Sequence, residues 1–389
     1  MAVEVREVLT RRDLRRFVRF PLSLYRDHPC WVPPLLRDEV TTLRRDKNPA
    51  FAFCTARYWL AWRDGAPVGR VAAIRNQRYI ETWQRKDLHF GWLDFVDDAE
   101  VSAALLATVE TWGRELGLTA AMGPLGFTDL DREGMLVEGF DELGTFATLY
   151  NHPYYPGHLE ALGYTKATDW VEYEIRLPDV YPERLARLAA RAEARFGLRR
   201  LRVRRARDLR PYAREAFGIL NETYRDFHAF VPLTPAQIDF YVDQFLPFVD
   251  PALVPVIVDR GDRVAAFMVA MPSLSRALQR SRGRLFPLGF LHLLRALRHS
   301  RRLDFYVGAV RPDLQAHGVH VVMMDELTRL CRERGIVAAE TNVELETNAA
   351  VQAVWKTYDA RQHKRRRCFR KPLATAEGSA AGGQGLTST

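Results

Sequence analysis

The chain is 389 residues long, with 47 % hydrophobic, 11 % aromatic and 27 % charged residues, which excludes wholesale disorder and leaves room for two cores. Lysines and arginines number 57 against 48 aspartates and glutamates, a net charge of +9 that favours an anionic partner, although arginine-rich usage also follows from a GC-rich genome. Four scattered cysteines, Cys30, Cys54, Cys331 and Cys368, contain no CxxC, so neither a disulfide framework nor a zinc site is expected. No signal-type apolar region follows Met1 and no apolar run approaches 18 residues, which predicts a cytoplasmic protein.

In chain order, Leu14, Phe17, Phe20 and Leu22 predict a first helix. Residues 58–62 and 68–74 are strand-like runs around Arg63-Asp64-Gly65-Ala66-Pro67, a hairpin signal. A strand at 91–95 precedes Asp97-Asp98, which caps a helix with the apolar face Val101, Leu105, Val109, Trp112 and Leu116. A strand at 120–122, a polar, glycine-rich segment over 123–155, a helical turn at 159–162 and a strand at 170–175 complete the first half. The order then recurs. A strand at 199–204 and helical spacing over 209–230 lead to strands at 254–258 and 264–271, flanking Asp259-Arg260-Gly261-Asp262-Arg263. A strand at 305–310, a helix from 321, a strand at 336–339, a helix at 349–358 and a basic strand near 367–369 follow. The shared order of elements, with a boundary near 178–182, points to duplication.

Residues 305–335 organise the second half. The apolar run from Phe305 to Val310 is broken by Arg311-Pro312-Asp313, and Gln315-Ala316-His317-Gly318-Val319-His320 then leads into helical spacing at Val321, Met324, Leu327 and Leu330. A strand, a glycine-bearing turn and a helix N-terminus present unpaired backbone N–H groups to a phosphate. The turn lacks both the Gly-Lys-Ser/Thr of a Walker loop and the three glycines of a dinucleotide fingerprint. Gln-x-x-Gly-x in this place resembles the acyl-CoA pyrophosphate loop of the GNAT acyltransferases, with His320 where that pattern has Gly or Ala. Asn348, opening a helix after the fifth strand, is a second point of resemblance. The first half has only Val96-Asp97-Asp98 in the corresponding place, and two negative charges there repel a pyrophosphate.

Across residues 1–373 the chain resembles a bacterial family of tandem-GNAT N-acyltransferases, itself similar to the bacterial ceramide synthases. The resemblance rests on 123–155, Phe230-Val231-Pro232-Leu233-Thr234, Met271-Pro272-Ser273-Leu274, Leu285-Phe286-Pro287 and 362–369. It implies an α/β (α+β) fold with two GNAT-like domains in tandem, each a mixed twisted sheet flanked by helices. Residues 1–178 form the domain without a CoA loop. Residues 179–373 form the domain with one, interrupted by a basic, apolar insertion at 276–302, and 374–389 form a disordered tail. The implied co-substrate is acyl-CoA or acetyl-CoA, with acyl-carrier protein as an alternative donor and no metal. The implied acceptor is a small-molecule amine or a long-chain amine of sphingoid type.

On this reading the donor is held by Ala309, Val310, Gln315, Ala316, His317, Gly318, Val319, His320 and Asn348, with strand N–H groups polarising the thioester carbonyl. Acyl transfer to an amine needs a neutral nitrogen, and Glu340 or Glu346 is the expected base. The family's usual tyrosine acid falls on Trp355, so either another group such as His363 is the acid or no acid is needed. Asp129, Asp131, Glu138, Asn151, Tyr154 and Tyr155 are the candidate acceptor-binding residues; a calcium reading fails because an EF-hand's later Glu is missing. Basic flanks around the Phe/Leu-rich centre of 276–302 suit an anionic membrane surface, placing the protein peripherally on the inner membrane. The basic stretch from His363 to Lys371, read as a strand, puts Lys364, Arg366 and Cys368 on one face, and a solvated edge strand explains it equally well. Nucleic acid is not expected as a partner, since no recognition motif accompanies the charge. Two other readings stay open: a non-catalytic GNAT-fold binding protein, and an aminoacyl-tRNA-dependent transferase.

Overall fold

A computed structural model describes residues 2–374; the tail at 374–389 lies outside the described residues except for Ala374. The first lobe runs β1 (Glu4–Glu7), α1 (Arg11–Arg19), α2 (Pro21–Leu24), α3 (Leu36–Thr42), β2 (Cys54–Arg63), β3 (Ala66–Asn76) and α4 (Gln77–Trp83). It continues through β4 (Asp87–Phe95), α5 (Ala99–Glu115), β5 (Ala120–Gly123), β6 (Met135–Glu138), α6 (Tyr155–Ala161) and β7 (Thr165–Arg176). The second lobe runs α7 (Glu183–Phe196), β8 (Arg199–Arg200), α8 (Arg210–Tyr224), α9 (Pro235–Phe245), β9 (Val256–Val258), β10 (Val264–Pro272), α10 (Ser275–Ser281) and α11 (Gly289–His299). It ends with β11 (Arg302–Val310), α12 (His320–Glu333), β12 (Ala338–Glu340), β13 (Glu344–Leu345), α13 (Ala349–Trp355) and β14 (Asp359–Pro372). The fold is thus mixed α/β with helices on a large mixed sheet, as the resemblance implied.

Local chemistry explains most of these elements. The β2–β3 hairpin turns at Asp64-Gly65, both at positive φ. Asp98 caps α5 through the N–H groups of Glu100 and Val101, and the helix buries Val101, Leu105, Val109 and Trp112 against the first-lobe sheet. Helix α7 falls where the sequence reading saw only a boundary; it buries little besides Ala189 and Ala192, so its apolar signal is faint.

The lobes exchange their last strands. The sheet order is β1-β2-β3-β4-β5-β14-β7-β12-β11-β10-β9-β8, so the C-terminal β14 inserts beside β5 of the first lobe. Strand β7 of the first lobe pairs with β12 of the second. Each half is therefore completed by a strand from the other. This places β14 in the middle of the sheet instead of at an edge, and explains its burial: Lys364 and Arg366 are each 1 % exposed. Their charges are matched by Glu340 of β12 and Glu172 of β7. A bulge at Cys368/Phe369 breaks the alternation, so both of those side chains are buried.

Candidate active site

In each lobe the fourth and fifth strands run parallel for only three residue pairs and then part. In the second lobe the pairs are Arg302↔Ala338, Leu303↔Ala339 and Asp304↔Glu340, after which β12 ends and β11 runs on to Val310. The far edge of β11 is then left to side chains. Asn342 donates to the Tyr306 carbonyl (3.0 Å), the Tyr224 hydroxyl to Gly308 (3.0 Å) and the Gln315 amide to Val310 (2.9 Å). A strand residue's N–H and C=O point the same way, so the N–H groups of Gly308 and Val310 also face the gap. Ala309 pairs with Phe267 of β10, and its N–H belongs to that ladder.

The turn after β11 is held from below by Arg311, which ion-pairs with Asp259 (2.9 Å) and Asp313 (2.7 Å), and by Leu314 and Val319, both buried. Ala316 and Gly318 take positive φ (59° and 76°), which turns successive amides to one side. Among the described residues none of the backbone N–H groups of Ala316, His317, Gly318, Val319 and His320 meets an acceptor in good hydrogen-bond geometry, in a run of turns that leads into α12 at His320. Five free amides at the start of a 14-residue helix fit a pyrophosphate. His320 is half-buried and burial lowers its pKa, so it adds no fixed positive charge. Asn348 caps α13 through the Val351 N–H.

Beside the parted strands lies a cavity of about 240 Å³ between the lobes. Its walls are mainly apolar, with Leu35, Leu130, Phe146, Phe245, Phe267 and Met271 among them. Tyr306, Val307, Asn342 and Val343 connect it to the gap between β11 and β12. Its wall also includes Asp129, Asp131 and Glu133. Asp131 is bound by the N–H groups of Phe127 (2.8 Å) and Thr128 (3.3 Å) and by the Tyr241 hydroxyl (3.3 Å), so it shapes the loop. Asp129 and Glu133 meet no hydrogen-bond donor and no cation among the described residues. Burial raises Asp129 to about 7 and Asp131 to about 6, and burial followed by the neighbouring carboxylates raises Glu133 well above the usual range. A mainly apolar chamber with two unpartnered carboxyl groups in its wall can accept an ammonium group on an apolar body.

The remaining sequence candidates are spread around this chamber. Glu340 is buried at the lobe seam. Burial pushes its carboxyl up, but Lys364, then His363, outweighs burial and holds it at about 2. His363 lies between Glu142 (3.5 Å) and Glu340 (3.4 Å) with its side chain 1 % exposed. Glu346 pairs with Lys166 (2.6 Å) and Arg365 (3.2 Å). Glu138 pairs with Arg365 (3.1 Å) near the surface, and Asn151 is buried, bridging the N–H and C=O of Leu136. Tyr154 and Tyr155 belong to the first lobe's own gap, where they bond the Phe95 carbonyl (2.6 Å) and N–H (2.9 Å). Sequence reasoning missed Asp304, whose two carboxylate oxygens are buried without partners and whose pKa burial, with Glu340, lifts to about 7. A lone carboxylate inside the apolar strand was the available signal. It also missed Glu344, which accepts from Trp355 Nε1 (2.7 Å) and is lifted by burial to about 8. Neither a helix long and apolar enough to cross a membrane nor a cluster of metal-ligating residues occurs among the described residues.

No family model matches the chain. It is 30 % identical to Protein YghO of Escherichia coli over 376 residues, covering 95 % of each chain. It is 31 % identical to the bacterial ceramide synthase of Caulobacter vibrioides over 292 residues, covering 74 % of each. Among solved structures, a tandem GNAT protein from the clavulanic acid biosynthesis pathway superposes with a TM-score of 0.56 at 12 % identity, covering 96 % of this chain and 99 % of that one. A glucosamine N-acetyltransferase region of a fungal multi-domain enzyme superposes with a TM-score of 0.54, also at 12 % identity, covering 95 % of this chain and 38 % of that one. The chain therefore belongs to the family that includes Protein YghO and the bacterial ceramide synthase, and its fold is that of the tandem GNAT proteins.

Proposed function

We propose that the protein transfers an acyl group from an acyl-CoA to the amine of a long-chain, sphingoid-type acceptor. The observation that carries this reading is the mainly apolar inter-lobe cavity, whose wall includes both Asp129 and Glu133 and the residues Tyr306, Val307, Asn342 and Val343 beside the parted strands. The free amides of residues 316–320 would hold the donor's pyrophosphate, and the donor supplies the activated acyl group. The Gly308 and Val310 N–H groups face the gap in which the thioester would lie, where each such donor is worth about 3 kcal/mol of charge stabilisation.

An ammonium drawn between Asp129 and Glu133 gives up a proton to one of them. The free amine then forms the N–C bond as the C–S bond breaks; the new amide nitrogen releases its second proton to water, and the leaving thiolate takes up one proton. Glu344 carries a proton near neutral pH and lies within electrostatic reach of Tyr224, whose hydroxyl binds Gly308. It is the proposed acid in place of the tyrosine that Trp355 supplants. Glu340, Glu346 and His363 act in this reading by holding the lobe seam, with β14 as its centre.

The test is direct. Purified protein, in detergent, is given palmitoyl-CoA or acetyl-CoA with a sphingoid base or a short polar amine, and the amide is measured by mass spectrometry. Amide formation on the long-chain base supports the reading; preference for the short amine removes the lipid substrate. No amide from either CoA, with product only from acyl-carrier protein, would move the donor.

A further inference from the structure

Helices α10 and α11 form a hairpin that the reaction does not use. Residues 275–302 contain eight arginines and no carboxylate, leaving 49 basic against 48 acidic residues in the rest of the chain. The protein's positive excess is thus concentrated in one hairpin. Among the described residues, Arg302 alone of the eight has ion-pair partners, Glu174 and Glu340.

The hairpin is also where apolar surface is exposed. Nine large hydrophobic residues are exposed among the described residues, and five lie within 286–294: Phe286 (72 %), Leu288, Phe290, Leu291 and Leu294. A soluble surface scatters such residues; clustering them marks a contact. Helical spacing separates three faces of α11. Leu293 is buried against the domain, Phe290, Leu291 and Leu294 are exposed, and His292, Arg295 and His299 turn towards α10.

Between the helices opens a cleft of about 460 Å³, lined by Arg276, Arg280, His292, Arg295, His299 and Arg301. The carboxylates at its base are already engaged: Glu142 with Arg361, Glu174 with Arg302 and Arg361, and Glu340 with Lys364. An apolar stripe beside a cleft of unpaired guanidinium groups matches a bilayer interface, acyl chains meeting the stripe and anionic head groups the cleft.

We infer that the α10–α11 hairpin docks the protein on an anionic lipid bilayer. The charge complementarity selects this occupant over a protein groove, because the exposed apolar side chains are ringed by one sign of charge. Docking has a further consequence. The buried sides of the hairpin, Leu278 and Leu293, share an apolar cluster with Leu35, Phe146 and Met271, which also wall the inter-lobe cavity. The bilayer surface and the cavity are therefore separated by that one cluster. The inference stands on the hairpin itself and does not depend on the proposed reaction.

Full-length protein is floated with vesicles of phosphatidylcholine alone, or with about 30 mol % phosphatidylglycerol added, at low salt and at about 0.5 M salt. Binding is expected only to the anionic vesicles and is expected to fall at least about tenfold at high salt. Phe286→Asp with Leu291→Asp, and separately Arg280→Glu with Arg295→Glu, are each expected to lower binding by about tenfold or more. Circular dichroism is expected to be unchanged, because all four side chains are exposed. Equal binding to neutral and anionic vesicles, undiminished binding by either variant, or a salt-sensitive tRNA complex with no vesicle binding overturns the inference. Because flotation needs neither donor nor amine, its failure is distinct from failure of the acyl-transfer assay.

Discussion

The two lobes share one plan and treat the gap between their parted strands in opposite ways. In the first lobe, the loop from β4 to α5 is Val96-Asp97-Asp98, and the Asp98 carboxylate itself occupies the first amides of the helix. The gap between the parted strands is also filled there: Tyr155, the first residue of α6, stacks on Phe95 at 4.2 Å and its hydroxyl takes the Phe95 N–H. In the second lobe the loop is longer, its amides are free, and the first residue of α13 is Ala349, which is exposed. The same framework becomes a packed core when its polar groups are satisfied internally, and a ligand cleft when they are left open.

The largest expected effect is at the strand exchange that joins the lobes. Lys364→Met leaves Glu340 and Glu172 buried without their shared cation, and is expected to destabilise the protein by about 3–5 kcal/mol in urea unfolding. Next is the donor turn. Gly318→Asp adds a carboxylate to the free amides at a positive φ and is expected to weaken acyl-CoA binding by about 3 kcal/mol, roughly a hundredfold, in calorimetry. Asp98→Ala in the first lobe is expected to leave that binding unchanged while costing about 1 kcal/mol of stability, as loss of a helix cap does.

Ala349→Tyr imports the first lobe's plug into the second. A loss in kcat/KM of about tenfold or more with the melting temperature kept would sharpen the comparison; unaltered kinetics would break it. Glu344→Gln is expected to lower kcat by about tenfold or more, with little change in KM, and to remove a basic pH limb near 8.

The smallest effect is on pH-dependent stability. Asp129 titrates at about 7 in the folded chain, above its unfolded value, so the folded state takes up a proton first as pH falls. Its burial costs stability above pH 7, and that cost is relieved progressively between about pH 7 and 4. The melting temperature is expected to rise by a few degrees on going from pH 8 to 5.5, and Asp129→Asn is expected to flatten the rise. Glu340, held at about 2, acts oppositely, and its contribution is lost only in strong acid.

The turn between β11 and α12 was legible because its signals are local. A strand, a breaker at Pro312, a glycine at Gly318 and helical periodicity beyond it lie within 30 consecutive residues, and β11, the turn and α12 follow that order. The hairpins at Asp64-Gly65 and Asp259–Arg263 were legible for the same reason. The carboxyl groups of the inter-lobe cavity were half-legible: Asp129 and Asp131 stood out as carboxylates in a glycine-rich segment, whereas nothing local separates them from Glu138, which ends on the surface beside Arg365.

What the sequence determined by itself was the β2–β3 and β9–β10 hairpins, the order of β11, its turn and α12, and the charge of the α10–α11 hairpin, since each depends on residues a few positions apart. Tertiary structure alone decided where β7 and β14 pair. A basic run on an edge strand is solvated, while the same run between β5 and β7 must find Glu172 and Glu340 from distant parts of the chain. It likewise decided which carboxylates are buried free of partners, because desolvation depends on what the other lobe brings to the seam.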